Sequence, residues 1–220
     1  KLPDSTLSRL KAQGGKGATF GLTEAFMFII AVNFWNFLGA GVLGFMINLP
    51  IVNYYQHGTY LTVNHGHMAL MGVYGNLAIA AMLFCGRWLI RPDRWNASLI
   101  RTSFWSLNIG LMLMGVMDLF PVGLHQLNAV FDGGYAFARS EAYLQGAVFM
   151  NLTMLRGVGV LIFVAGGVLP LVWFMVTRWG SLKPVQTIEE SYVVPTSVLA
   201  LAPGYRPREA AAAYVGGAGK

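Results

Sequence analysis

Four long apolar runs separated by short polar breaks constrain this chain more than any other feature. They cover residues 20–49, 60–90, 99–120 and 144–179 of the 220 residues. An α-helix needs about 20 apolar residues to cross the hydrocarbon core of a bilayer, and each run is long enough. Composition agrees, because 55% of the residues are hydrophobic and 11% are charged, against about a quarter charged in soluble domains. The sequence therefore predicts an all-α integral membrane protein with four transmembrane helices.

The basic residues predict which side of the membrane each loop occupies. The net charge is +6, and the densest basic cluster follows the second run: Arg87, Arg91, Arg94 and Arg101. Lys and Arg beside apolar runs mark cytoplasmic loops, so we expect membrane lipid and no nucleic acid as a partner. Residues 51–59 carry no Lys or Arg and are predicted to lie outside. Residues 1–19 then form a polar cytoplasmic lead-in, residues 180–220 form a cytoplasmic tail, and both ends lie inside.

Three of the four histidines lie in one stretch, residues 53–75, NYYQHGTYLTVNHGHMALMGVYG. His65 and His67 are two positions apart, so on a helix their side chains point about 200° apart. A single metal ion would require an i, i+4 pair on one face, whereas ligands that face opposite ways fit two haems. The alternative is a pair of hydrogen-bonded core histidines without a cofactor. A polar ring inside a membrane is costly without a partner, which favours a functional role.

Several other polar residues lie within or beside the apolar runs. Arg156 has no acidic neighbour in the sequence; a buried guanidinium needs an anion, which a haem propionate would supply, unless the side chain extends to the outer interface. Glu24 and Asp118 lie near helix ends and are predicted to be interfacial, with a proton-path role for Glu24 as the alternative. His125 is a weaker ligand candidate.

Prolines predict where two of the helices change direction. Pro121 is expected to end the third helix, so that residues 121–141 form an outer connection that includes a surface helix. Pro170 is a candidate kink within the fourth helix.

Four segments together resemble the nitric-oxide-reductase branch of the haem-copper oxidase superfamily. They are NFLGAGVLGFMINLPIVNYYQHGT, the H-x-H pair His65/His67 with GVYG after it, SFWSLNIGLMLMGVMDLFPVG, and YAFARS. The resemblance extends over residues 20–179. It implies that the chain forms the C-terminal four helices of a bundle of twelve to fourteen helices.

The resemblance implies specific roles for the histidines. His65 would be the axial ligand of the high-spin haem in the active site and hence the catalytic ligand, and His67 an axial ligand of a low-spin haem. His57 and Arg156 would lie near haem propionates. Two b-type haems are implied. Thr62 and Asn64 are candidate partners for the second ring nitrogens of the ligands.

The resemblance also implies a second metal that this chain does not hold by itself. The family's non-haem iron is bound by three histidines and a carboxylate on earlier helices. The chain is therefore expected to act with the remaining N-terminal part of the catalytic subunit, on the same or a separate polypeptide, in the bacterial cytoplasmic membrane.

Several functions remain open from the sequence. The resemblance implies reduction of nitric oxide to nitrous oxide, with quinol or cytochrome c as electron donor. Quinol-fed members usually read LR-x-x-G-D where this chain has LRGVGV, so Val160 replaces an acid. That change favours an alternative, a nitric-oxide dismutase that yields dinitrogen and dioxygen without an external donor. A non-catalytic electron-transfer or assembly chain and an oxygen-reducing enzyme are further alternatives.

Overall fold

The computed structural model describes residues 22–178 and Leu182. The predicted lead-in and nearly all of the predicted tail lie outside the described residues. Within that part of the chain, six α-helices follow in order: α1 (Thr23–Asn48), α2 (Pro50–Gln56), α3 (Tyr60–Leu89), α4 (Ala97–Ala138), α5 (Glu141–Leu144) and α6 (Ala147–Arg178). Four of them, α1, α3, α4 and α6, are long and apolar enough to cross a membrane. The prediction of an all-α protein with four spanning helices is confirmed.

The residues at the breaks explain where several of the helices end and begin. Leu49 has an extended backbone that ends α1, and Pro50 starts α2 at a position where no backbone N–H is needed. Thr59 caps α3 by accepting a hydrogen bond from Leu61 N at 3.3 Å, and Asn96 caps α4 through Leu99 N at 3.0 Å. These caps satisfy backbone donors that a helix start otherwise leaves unpaired.

The third spanning helix is longer than the sequence predicted. It does not end at Pro121 but continues to Ala138, so the predicted outer connection forms part of α4, with a kink at Gly134, where φ is 77°. Pro121 is the second residue of a new α-helical stretch that follows the π-helical turn Met114–Leu119. A proline in the first turn of such a stretch costs little, because its missing N–H is not required there.

Each spanning helix contains one π-helical stretch, where the turn widens by about one residue. These stretches are Asn36–Leu43 in α1, Met68–Gly75 in α3, Met114–Leu119 in α4 and Ile162–Val168 in α6. Pro170 follows the last of them within the α-helical stretch Leu169–Arg178. The proline predicted as a kink therefore stands just after a change of helix type.

The spanning helices pack as antiparallel neighbours around α4. The first part of α1, Thr23–Trp35, packs on the last part of α3, Asn76–Leu89, and the middle of α6 packs on the first part of α4. Half of the most apolar window of α4 is buried, against 22–28% for the other three. Large side chains fill the core between them, among them Phe28, Trp35, Leu83, Leu107 and Phe174. The helices consequently present wide apolar outer faces, as expected of a protein surrounded by lipid or by further helices.

Polar side chains within this core are paired across helices. Trp35 Nε1 donates to Asn108 Oδ1 at 2.7 Å, and Asn76 Nδ2 reaches the same oxygen at 3.3 Å. Near the basic cluster, buried Glu24 binds Arg101 Nη2 at 3.0 Å. Glu24, predicted to be interfacial, thus anchors the start of α1 to α4.

Candidate functional site

His65 lies in the first turns of α3 and is held by a different helix. Its Nδ1 lies 2.8 Å from the carbonyl oxygen of Gly39 in α1. A carbonyl oxygen only accepts hydrogen bonds, so Nδ1 carries the proton and donates it. With Nδ1 as the donor, the lone pair that can bind a metal is on Nε2. His65 is half-buried, and the tautomer fixed in this way is the one that binds a metal through Nε2.

Two glycines of α1 make this contact possible. A Cβ on Gly39 would lie 2.5 Å from Met68 Cβ of α3, closer than real Cβ atoms approach, so only glycine allows the two helices to be this near. A Cβ on Gly44 would lie 3.0 Å from His65 Cε1, so the imidazole ring lies against the backbone at Gly44. The lack of a side chain at these two positions therefore allows α1 and α3 to lie close together.

His67, one position beyond Gly66, is held by its own helix. Its Nδ1 lies 3.0 Å from the carbonyl oxygen of Val63, four residues earlier, and its side chain is exposed. The same reasoning puts the proton on Nδ1 and leaves Nε2 with a free lone pair. A Cβ built on Gly66 meets no atom within 4 Å, so the face of α3 between the two histidines is open. Both residues therefore have the Nδ1-protonated tautomer that an axial haem ligand uses, and the helix face between them is open.

The predicted partners of the ring nitrogens were wrong. Thr62 donates its hydroxyl to the carbonyl of Gln56 at 3.1 Å rather than to a histidine. Asn64 is buried and lies on another face of α3. The partners are backbone carbonyls instead, one of them 26 residues away along the chain, and residue types do not reveal such acceptors.

His57 lies in the link between α2 and α3 and is exposed. Its backbone carbonyl accepts a hydrogen bond from Arg139 Nη2 at 3.1 Å, and the guanidinium of Arg139 lies 5.0 Å from the ring centre of Tyr135. Gly58 has φ of 72°, and a Cβ there would collide with the same guanidinium. The link is thus fixed to the end of α4, and contact of His57 with a propionate stays a prediction.

Arg156 has an acidic partner, contrary to the expectation from sequence. Its Nε lies 2.5 Å from Oδ2 of Asp118 in the π-helical turn of α4, and the guanidinium carbon lies 5.3 Å from the ring centre of Tyr60. The side chain of Asp118 is fully buried, so the prediction of an interfacial residue was also wrong. Two opposite charges, each alone in an apolar helix, are the signal that could have suggested this pair.

His125 pairs with Tyr143 rather than with the other histidines. Its Nδ1 lies 2.5 Å from the Tyr143 hydroxyl, and the two rings are stacked at 24°. Burial raises the pKa of Tyr143, which lies in α5, outside the spanning segments. Among the described residues, no three His, Cys, Asp or Glu side chains come close enough to hold a metal ion. His125 is thus not part of a metal cluster formed by the described residues.

Comparison with known proteins agrees with this architecture. The sequence profile of the family described as cytochrome C and quinol oxidase polypeptide I matches residues 14–162. A nitric oxide reductase chain of Stutzerimonas stutzeri is 33% identical over 132 residues, which is 57% of this chain and 28% of that protein. The chain therefore spans less than a third of this relative.

The fold defines an integral membrane protein built from a helix bundle. Within that class the chain belongs to the family of cytochrome C and quinol oxidase polypeptide I, because the profile matches more than half of its residues. It is a member similar to the nitric oxide reductases. The proteins of this haem-copper oxidase family are oxidoreductases with haem and iron as cofactors, and this chain covers only part of one relative similar to it.

Proposed function

We propose that this chain is part of a membrane enzyme that contains haem and non-haem iron and reduces nitric oxide to nitrous oxide. The observation that supports the proposal is the pair of histidines on α3, each with Nδ1 bound to a backbone carbonyl and Nε2 free. One helix with two such rings on different faces can hold two b-type haems. The relative from Stutzerimonas stutzeri is itself named as part of a nitric oxide reductase.

His65 and His67 would each hold one of the two haems, and the two haems would have different roles. His65 would hold the high-spin haem at the reaction site, and His67 would hold the low-spin haem. When bound, the haems would relay electrons from the donor, and the high-spin haem iron with the non-haem iron would stabilise the reacting nitric oxide. The Nδ1 hydrogen bonds fix the direction of both rings and raise the basicity of Nε2.

The surroundings of the haems include two further predicted contacts. His57 and Arg156 stay candidate partners of haem propionates. Arg156 would bind a propionate while it also binds Asp118, through the donors that the ion pair leaves available. His57 would do so from the fixed link beside Arg139.

The complete enzyme needs more than this chain. We propose that the non-haem iron ligands belong to the N-terminal part of the catalytic subunit, on the same or a separate polypeptide. The enzyme would lie in the bacterial cytoplasmic membrane, where its helices would contact lipid. Both ends of this chain would lie in the cytoplasm. Quinol or cytochrome c would donate the electrons. The basic cluster after α3, which marks the cytoplasmic side, supports this orientation.

A second candidate function is dismutation of nitric oxide to dinitrogen and dioxygen. Val160 supports it, because this residue lies one helical turn after Arg156, is 38% exposed and offers no carboxylate to a quinol head group. Assays of nitric oxide consumption with and without a quinol distinguish the two. Release of dioxygen without a donor would exclude the reductase, and strict dependence on a donor would exclude the dismutase.

Replacement of each histidine in the complete enzyme tests the proposal. We expect His65→Ala to remove the high-spin haem signal and lower activity by at least about 100-fold, because loss of even an outer-shell partner costs about 10–100-fold. His67→Ala should remove the low-spin haem signal and keep the high-spin one. His125→Ala serves as the matched control and should keep both. A His65→Ala enzyme with an intact high-spin spectrum would rule out the assignment.

A further inference from the structure

Three buried polar atoms between α3, α4 and α6 lack a protein hydrogen-bond partner. They are Asn64 Oδ1, Asp118 Oδ1 and Arg156 Nη2, three of the four such atoms within the described part of the chain. Asn64 is 2% exposed and Asp118 0%. A buried polar atom without a partner destabilises a fold, and more so within a membrane, so these atoms require an explanation.

The three atoms belong to one region of the bundle. Arg156 binds Asp118 through Nε and lies over the ring of Tyr60. Tyr60 is four residues before Asn64, so both side chains lie on the same face of α3. A Cβ built on Gly115, in the π-helical turn that also carries Asp118, would lie 3.4 Å from Asn64 Oδ1. Asn64 therefore faces the turn of α4 that forms the ion pair.

The donor and acceptor character of these three atoms indicates which kind of molecule could bind between them. Asn64 and Asp118 each present an acceptor oxygen, and Arg156 presents an N–H donor. A water molecule donates two hydrogen bonds and accepts others, and buried waters typically make about three hydrogen bonds to protein groups. An apolar ligand would leave all three atoms unpaired, and an anion without a proton could not donate a hydrogen bond to the oxygens of Asn64 and Asp118.

We propose that Asn64, Asp118 and Arg156 form a water-binding site inside the membrane domain. The bound water joins α3, at the residue before His65, to the ion pair between α4 and α6. The helix that carries both candidate ligands is then held on one side by the Gly39 carbonyl and on another by water. Asn64 is thereby a positioning residue for His65. The water site concerns this chain alone, whereas its positioning role for His65 rests on the proposed ligation of a haem by that residue.

The sign of one stability change tests the site. If Asn64 Oδ1 is truly unpartnered, Asn64→Leu in the complete enzyme removes an unsatisfied polar atom and raises the melting temperature. If water binds there, the same variant loses hydrogen bonds and should melt about 2–4 °C lower. Asn33→Leu is the matched control, because Asn33 is exposed and bonds only to Ile29 O of its own helix at 3.0 Å. A rise or no change for Asn64→Leu relative to this control would overturn the proposal.

A second set of variants distinguishes hydrogen bonding of Asn64 to the water from packing of its side chain. In an Asp118→Leu/Arg156→Leu enzyme two of the three water partners are gone, so adding Asn64→Leu should no longer lower the melting temperature. An equal loss in both backgrounds would mean that Asn64 acts through packing alone, against the proposal.

A high-resolution map of the wild-type enzyme decides the matter even if a variant does not fold. We expect ordered density about 2.7–3.2 Å from Asn64 Oδ1 and Asp118 Oδ1. A propionate oxygen on Arg156 Nη2 in place of this density would refute the site.

Haem spectra of the Asn64→Leu enzyme test whether Asn64 positions His65. The high-spin haem spectrum should shift while the low-spin spectrum stays constant, and a general loss of stability would not produce this difference.

Discussion

The two histidines of α3 differ in what holds them, although they are separated by a single glycine. His65 binds a carbonyl of α1, is half-buried and lies against Gly44, whereas His67 binds a carbonyl of its own helix and is exposed. The direction of His67 is therefore fixed as soon as α3 forms. The direction of His65 is fixed only when α1 and α3 come together.

Because the two histidines are held by different groups, the surroundings of each one can be changed without changing those of the other. A change in the packing of α1 against α3 should alter the surroundings of His65 and leave those of His67 nearly unchanged. A change that weakens the start of α3 should affect both residues. The following predictions use this contrast in the complete enzyme, in order of decreasing effect.

The largest difference should follow Gly39→Ala. The new methyl group would lie 2.5 Å from Met68 Cβ, which is next to the backbone and cannot move away alone, so α1 and α3 must separate. We expect a cost of about 1–3 kcal/mol in stability from overpacking. Activity and high-spin haem content should fall by about 10–100-fold, because the Nδ1 partner of His65 is displaced.

The low-spin haem should survive the same change. Spectra of the reduced and oxidised enzyme measure the two haems separately. Gly157→Ala is the matched control, since a Cβ on Gly157 meets nothing within 4 Å. Equal losses of both haems in Gly39→Ala would contradict the contrast between the two histidines.

Removal of the cap of α3 should affect both histidines to a similar extent. Thr59 is fully buried, donates to the carbonyl of Gln56 at 2.7 Å and accepts from Leu61 N. Thr59→Ala should cost about 1 kcal/mol, and Thr59→Ser, which keeps the hydroxyl, should restore most of it. Thermal denaturation and parallel loss of the two haem signals measure the effect. Selective loss of one haem would mean that the helix start serves only that residue.

Gly44→Ala should produce a smaller, selective change. The added Cβ would lie 3.0 Å from His65 Cε1, so the ring must shift by a few tenths of an ångström. We expect a displaced high-spin spectrum and a loss of activity of no more than about tenfold, below the range for removing an outer-shell partner. A spectrum identical to the wild type would show that the ring does not lie against Gly44.

Tyr143→Phe should leave both haems unchanged, because Tyr143 contacts His125 and neither residue touches the α3 ligands. Its effect is on stability at high pH. Burial raises the pKa of Tyr143 above its ordinary value of about 10. The folded state then holds a proton that the unfolded state loses, so wild-type stability falls as pH rises above about 10. Denaturation curves should show a weaker fall for the phenylalanine variant, and an equally steep fall would exclude Tyr143 as the source.

The sequence predicted the parts of the fold that depend on local patterns. Hydropathy over about 20 residues identified the four spanning helices, and the helix period alone separated the faces of His65 and His67. It did not predict that α4 would continue through Pro121, because a π-helical turn before the proline removes the usual conflict. The pattern of residue types carries little information about such a turn.

Contacts between helices were decided only by the tertiary structure. The bond from His65 Nδ1 to the Gly39 carbonyl requires a particular rotation and separation of α1 and α3, and a backbone acceptor has no signature in the sequence. The pairing of Asp118 with Arg156 joins residues 38 positions apart whose charges looked isolated. The sequence by itself determined a membrane bundle with two differently directed histidines, since both follow from local periodicity. Which groups hold those histidines was determined by packing, since only the assembled helices bring the partners within reach.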